Sequence, residues 1–146
     1  MSGKADLTKR AVAMIIDSVI ASLLSIVPYI GGLVGTAYMV LRDGLDIDFM
    51  NKRSVGKQLM GLKPVRLDGQ RMDPETSVRR NWMWGIGAIT GLLLYIPIVG
   101  WLLIPVVTLI SFGVGLFELY KVLTDAEGRR WGDAMAGTKV IESTNG

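Results

Sequence analysis

The chain has 146 residues, half of them hydrophobic, and a formal net charge of +3 from 16 Lys and Arg against 13 Asp and Glu. It contains no Cys and no His, which excludes disulfides, thiol nucleophiles, Cys or His metal sites and His-dependent triads. That length suits a single domain, and the apolar content is too high for an ordinary soluble domain of this size.

Hydropathy and charge divide the chain sharply. No Lys or Arg occurs within residues 11–41 or 81–120. All basic residues fall before, between or after these stretches. Two turn segments, Pro28–Gly32 and Ile96–Gly100, carry no charge of either sign. This is the positive-inside pattern expected of a helical membrane protein with both termini in the cytoplasm. The basic balance then reads as contact with anionic lipid headgroups, and nucleic acid is not expected as a partner. The segment after Arg10 resembles a signal-peptide core, but Asp17 interrupts it, so it reads as a retained anchor.

In chain order, the first predicted helix covers about 9–27. At 1.5 Å per residue that is about 28 Å, enough for a bilayer core. The second covers about 29–45 and has a short apolar part, so a half-inserted segment is a rival to a full crossing. A polar cytoplasmic insert follows over 46–80. Within it, Ser54 to Met60 suits a short surface helix with Val55, Leu59 and Met60 toward lipid. Lys63 to Leu67 reads as a strand, Asp68-Gly69 is a hairpin signal, and Pro74-Glu75 suits a helix start. The third membrane helix is expected over 81–96, with Trp82 and Trp84 at the interface, and the fourth over 101–123. Gly137-Thr-Lys-Val-Ile reads as a short strand able to pair with the one around Val65. The expected fold is therefore all-α: a four-helix transmembrane bundle with a small cytoplasmic β element, as one domain over residues 1–146. Ile26-Val-Pro-Tyr-Ile-Gly and Tyr95-Ile-Pro-Ile-Val-Gly are alike, which fits either a duplicated hairpin or shared turn chemistry.

Asp17 is the ionisable residue inside the first apolar stretch. A carboxylate at membrane depth is costly and is either paired or functional. Ala13, Ala21 and Ser25 lie at four-residue steps from it, and Ser18 and Ser22 flank it. This small-residue face suits close packing of another helix. Two readings stay open. In one, Asp17 is a protonatable cation site completed by hydroxyls such as those of Ser18 and Ser22. In the other, it neutralises a buried cation: Arg79, Arg80, or Arg10 of a neighbouring subunit. Glu118 is the second deep carboxylate, with Lys121 three residues on as its expected partner. The Asp43–Asp48 cluster lacks the spacing of a calcium loop and reads as solvated charge. Asp133 suits a helix cap or a partner for a cytoplasmic Arg. No cofactor and no metal centre are expected. Without a visible nucleophile–base pair, no enzyme is expected either.

Arg10 and Asp17, the Ser54-Val-Gly-Lys-Gln-Leu-Met-Gly-Leu-Lys segment, Arg80-Asn81, and Asp133 before Ala136-Gly-Thr-Lys-Val-Ile together resemble the RDD family of bacterial membrane proteins. The resemblance runs from about residue 8 to 142 and places the family's Arg and two Asp on Arg10, Asp17 and Asp133. Many members carry His before the second Asp, where this chain has Gly132, so a proton relay through that His is lacking. The resemblance implies a multi-pass protein of the bacterial cytoplasmic (inner) membrane. It further implies transport, some members being described as Na⁺(K⁺)/H⁺ antiporters. The resulting expectation is transport of small monovalent cations against protons. Asp17, Ser18 and Ser22 would form the ion site. Arg10, Asp133, Arg80 and Glu118 would serve as gating or structural charges. Four short helices enclose little space, so a homo-oligomer is expected. The alternative is a non-transporting scaffold that binds a partner or lipid through its basic insert.

Overall fold

The computed structural model describes residues 4–143. Seven helices and two strands are found among them: α1 Leu7–Leu24, α2 Gly31–Leu41, α3 Val55–Leu59, β1 Leu62–Arg66, α4 Pro74–Asn81, α5 Ile86–Leu93, α6 Val99–Thr124, α7 Trp131–Met135 and β2 Thr138–Glu142. A 3₁₀ turn, Trp82–Gly85, joins α4 to α5. The helix starts follow local chemistry. The Asp6 carboxylate accepts from the Thr8 and Lys9 amides at the head of α1. The Ser54 hydroxyl accepts from the Lys57 amide at α3. Asp73 accepts from the Thr76 amide, with Pro74 at the first helical turn of α4. Each side chain satisfies amides that the first turn leaves without intrahelical partners.

α2 packs between α1 and α5, and α5 packs on α6. α6 has 26 residues, and an 18-residue window within it has a mean hydropathy of 2.2, which makes it long and apolar enough to cross a membrane. It buries only Gly100 among its residues and displays Leu102, Val106, Leu109, Ile110, Phe112, Leu116 and Leu119 on its surface. An apolar face of this extent is not a soluble surface. α1 has 18 residues but carries Lys9, Arg10 and Asp17, and α2 has 11 residues. The second and third predicted helices are therefore shorter than 29–45 and 81–96. Arg42 and Asp43 turn into the polar insert, and the Trp82–Gly85 segment tightens into a 3₁₀ turn.

Both helical hairpins end in the same turn. The Ile30 amide donates to the Pro28 carbonyl at 2.8 Å, and the Val99 amide donates to the Pro97 carbonyl at 2.8 Å. Tyr29 and Ile98, between these partners, have φ of 66° and 64°. With ψ at −70°, Ile98 adopts the rare γ-turn geometry that closes a three-residue ring. The sequence echo thus extends to backbone conformation.

β1 and β2 form an antiparallel pair with Val65 opposite Lys139 and Pro64 opposite Val140. That pairing was legible in the sequence. The Asp68-Gly69 hairpin is not formed: Gly69 turns with φ 76°, but β1 pairs with the C-terminal strand and the chain proceeds to α4. α3 also differs from expectation. It turns Gly56 and Lys57 inward. Leu59 is exposed, and Met60 packs on a small core of Ala5, Ala13, Leu62 and Val140 instead of facing lipid. The reason is polar: the amide and ammonium of α3 are claimed by buried carboxylates.

Candidate functional site: a buried lattice of charges

Where α1, α2, α3, α4 and α7 converge, the structure buries charge. Asp17, Arg42, Asp43, Arg80 and Asp133 are each at most 2 % exposed.

Asp17 is held from three directions. Its Oδ1 accepts from the Tyr38 hydroxyl at 2.9 Å and from the Gly56 amide at 2.8 Å. Its Oδ2 accepts from Arg42 Nη1 at 3.0 Å. Arg42 also lies over the Trp84 ring, 5.8 Å from its centroid, which offers the cation a π face. The Gly56 amide reaches Asp17 because α3 presses directly on α1. A Cβ at Gly56 would lie 2.0 Å from the Ala13 carbonyl oxygen. Within the chain, Asp17's cation is therefore Arg42, and not Arg79 or Arg80. Ser18 and Ser22 do not reach the carboxylate: the Ser22 hydroxyl donates to the Ser18 carbonyl at 2.8 Å.

Asp43, next to Arg42 in the chain, anchors a second group. Lys57 Nζ lies 2.6 Å from Oδ1, the Ser54 amide donates to Oδ1 at 3.2 Å, and Asn81 Nδ2 donates to Oδ2 at 3.1 Å. Arg80 Nε stands 3.6 Å from Oδ2. Burial alone would raise the Asp43 carboxyl, but Lys57, Arg80 and Arg42 hold it well below the usual carboxylate range. Burial pushes the Lys57 ammonium down to about 7, against the pull of Asp43. Asp43 therefore belongs to the interior, whereas Asp46 in the same cluster has a side chain 79 % exposed and pairs with Lys52 at the surface.

Asp133 organises the third group. Arg80 Nε is 2.7 Å from its Oδ1, and Arg10 Nη2 is 3.4 Å from its Oδ2. The Arg130 amide donates to Oδ2 at 3.1 Å, capping α7. Arg10 also donates to the Gly128 carbonyl. Burial would raise the Asp133 carboxyl, but Arg80, Arg130 and Arg10 draw it down to about 2. Glu118 of α6 accepts from the Gly132 amide at 3.0 Å and faces Arg130 Nε at 3.7 Å. Its partner is thus Arg130 and not Lys121. α7 meets α4 as tightly as α3 meets α1: a Cβ at Gly132 would lie 2.0 Å from the Arg80 carbonyl oxygen.

The three groups are continuous. Asp17 and Asp43 are joined through the neighbours Arg42 and Asp43, and Arg80 bridges Asp43 to Asp133. Arg10, Asp17, Arg80, Glu118 and Asp133 were singled out in the sequence, and all lie in this lattice. Tyr38, Arg42, Asp43, Lys57 and Asn81 were not assigned to it. Arg42-Asp43 stands at the end of an apolar run, and that placement was the available signal. Among the described residues, no group of three or more His, Cys, Asp and Glu is set to hold a metal ion.

A model of the RDD family matches residues 32–137. The chain belongs to the RDD family. The matched span includes Arg42, Asp43, Lys57, Arg80, Glu118 and Asp133, while Arg10 and Asp17 precede it. Neither a curated protein nor a solved structure matches the chain. RDD proteins are membrane proteins, in accord with the long apolar α6 of this one.

Proposed function

We propose that this RDD protein is a transporter of small monovalent cations that exchanges them for protons across the bacterial inner membrane. In this reading both hairpins cross the bilayer as four spans, both termini are cytoplasmic, and the working unit is a homo-oligomer. The observation that carries it is the burial of Asp17, Asp43 and Asp133, each at most 1 % exposed and each against a basic side chain. Buried charges among apolar helices are expensive and tend to be kept for ion or proton handling. Such a site works by exchange: a carboxylate holds one cation at a time, and a proton or a metal cation competes with the resident basic group. Asp17, already held by three donors, suits a hinge that reports on the state of α2 and α3. Arg10 and Asp133, which tie α1 to α7, suit the cytoplasmic gate.

Proteoliposomes with a trapped pH-sensitive dye test this. An imposed Na⁺ or K⁺ gradient should move protons through the wild type and should fail with Asp17→Asn and Asp43→Asn. Equal traces for wild type and empty vesicles would remove the transport reading.

A second reading, a non-transporting membrane scaffold, is favoured by the same saturation of Asp17. There the lattice would only stitch the insert to the helices. Lys57 and Arg53 are buried, so binding of anionic lipid or partner would fall to the exposed Lys63, Arg71 and Arg79. Charge reversal at Lys63 and Arg71 should then abolish binding to anionic vesicles while Asp17→Asn leaves it intact.

A further inference from the structure

Between Asp17 and Arg42 the sequence carries no charged residue, yet the stretch is not wholly apolar. Ser22 and Ser25 from α1 and its C-terminal cap, and Thr36 from α2, line one cleft together with Met39 and Trp84. Its volume is about 320 Å³, far above the about 10–15 Å³ that one water needs. The cleft lies where α1 and α2 cross in close contact. A Cβ at Gly35 would lie 2.3 Å from Ser25 Oγ and 2.6 Å from the Ala21 carbonyl oxygen.

One end of the cleft adjoins the buried pair. Met39 Sδ accepts from Arg42 Nη1 at 3.3 Å, and the Trp84 ring holds the same guanidinium 5.8 Å from its centroid. The other end, at Ser25, adjoins the turn between α1 and α2. From Asp17 to Ser25 the helix rises about 12 Å. The cleft therefore runs from the pair toward the hairpin turn, away from the lattice.

The lining asks for a polar occupant. The Ser22 and Ser25 hydroxyls donate to the Ser18 and Ala21 carbonyls, at 2.8 Å and 2.7 Å, which leaves their oxygens as acceptors. Thr36 adds a third hydroxyl. At the inner end, Arg42 Nε and Trp84 Nε1 are buried donors with no acceptor among the described residues. Buried donors of this kind are ordinarily satisfied by protein or by ordered water. An acyl chain offers neither a donor nor an acceptor, whereas water offers both.

We propose that this cleft is a water-filled vestibule leading from the hairpin turn of α1 and α2 to the Asp17–Arg42 pair. The pair closes its inner end, with Asp17 only 1 % exposed. A monovalent cation entering it would meet the Ser25, Ser22 and Thr36 oxygens before the carboxylate. That use rests on the transport reading above; the hydration of the cleft does not.

Cysteine accessibility tests the vestibule. The chain has no Cys, so a single introduced thiol reports without background. Full-length protein in proteoliposomes is treated with membrane-impermeant (trimethylammonio)ethyl methanethiosulfonate on the face that carries the hairpin turns. Tyr29→Cys, at the turn and 89 % exposed, is the positive control. Leu109→Cys, on the apolar surface of α6, is the negative control. Thr36→Cys and Ser22→Cys should react at least about tenfold faster than Leu109→Cys, because the reagent takes the thiolate, which forms in water and not in apolar surroundings. Rates as slow as that of Leu109→Cys would give the cleft to acyl chains. Disulfide-linked dimers of Ser22→Cys without labelling would give it to a second copy. Either result overturns the proposal. The two test positions lie on different helices, so one decides should the other variant fail to fold. Labelling without cation-driven proton movement keeps the vestibule and removes transport. Proton movement without labelling removes the vestibule and places the ion route elsewhere.

Discussion

Asp17 and Arg42 meet at 3.0 Å with side chains only 1 % and 3 % exposed. The pair joins the middle of α1 to the end of α2, and the Gly56 amide brings α3 to the same carboxylate. Deleting one member of a buried ion pair leaves the other charge without compensation, which costs about 3–5 kcal/mol. Arg42→Met and Asp17→Leu should each lower stability by that order. The double variant should recover much of the loss, because neither charge is then buried. Thermal or denaturant unfolding in detergent checks this through a double-mutant cycle. Additive losses would show that the pair is not a unit.

Two glycines set the approach of the insert to the helices. Gly56→Ala forces a Cβ to within 2.0 Å of the Ala13 carbonyl, and Gly132→Ala does the same at the Arg80 carbonyl. Both obstacles are backbone, so relief requires moving a helix. Each should destabilise by about 1–3 kcal/mol or more, as overpacking does. Gly91→Ala, with nothing within 4 Å of the new Cβ, is the control and should be near neutral. Melting curves for the three variants decide it.

The segregation of charge, the two hairpins and the pairing of the strand around Val65 with that after Gly137 were legible because each rests on local pattern. Apolar runs, turn residues and alternation act over a few residues. The lattice was legible only in part. Asp17 announced itself by standing in an apolar run, and Asp133 by standing in an ordered motif. Their partners depend on which helices touch, and that is set by chain geometry far from either residue. Asp43 and Asp46 are three apart with the same carboxylate, yet one is 0 % exposed and the other 79 %. Their places relative to the apolar run differ by only three residues; the position of α3 is what buries Asp43 and leaves Asp46 outside. Met60 was misplaced toward lipid for the same reason. Its helix is oriented by polar claims on Gly56 and Lys57, and not by its apolar residues.

The matched γ-turns predict matched strain. Ile98 is β-branched at φ 64°, and Tyr29 has φ 66°. Non-glycine residues held there cost of order 1–3 kcal/mol, while glycine adopts the region freely. Ile98→Gly should therefore raise stability, net of the greater freedom of glycine in the unfolded chain, by about 1 kcal/mol. Tyr29→Gly should gain less, since its side chain is not β-branched. A fall in Tm for Ile98→Gly would show that the Ile98 side chain, 70 % exposed in the isolated chain, has packing of its own in the membrane.

The lattice also predicts two separate limbs in the pH dependence of stability. Asp133 is drawn down to about 2 from an ordinary 3.8, and Asp43 is lowered in the same sense. A depressed carboxyl stabilises the fold above its unfolded pKa and loses that contribution as protons bind the unfolded state first. Stability from Asp133 should be intact above about pH 3.8 and decline as pH falls toward 2. Lys57 acts at the other end. Between about 7 and 10.5 the unfolded chain keeps the Lys57 proton while the folded chain sheds it. Unfolding then takes up a proton, so this group makes stability rise with pH across that window. Tm measured from pH 2 to pH 10 in choline chloride should show both limbs. Asp133→Asn should flatten the acid limb, and Lys57→Met should flatten the alkaline one. An unchanged alkaline slope in Lys57→Met would assign that limb to another group and mean that the Asp43 oxygens keep Lys57 charged throughout.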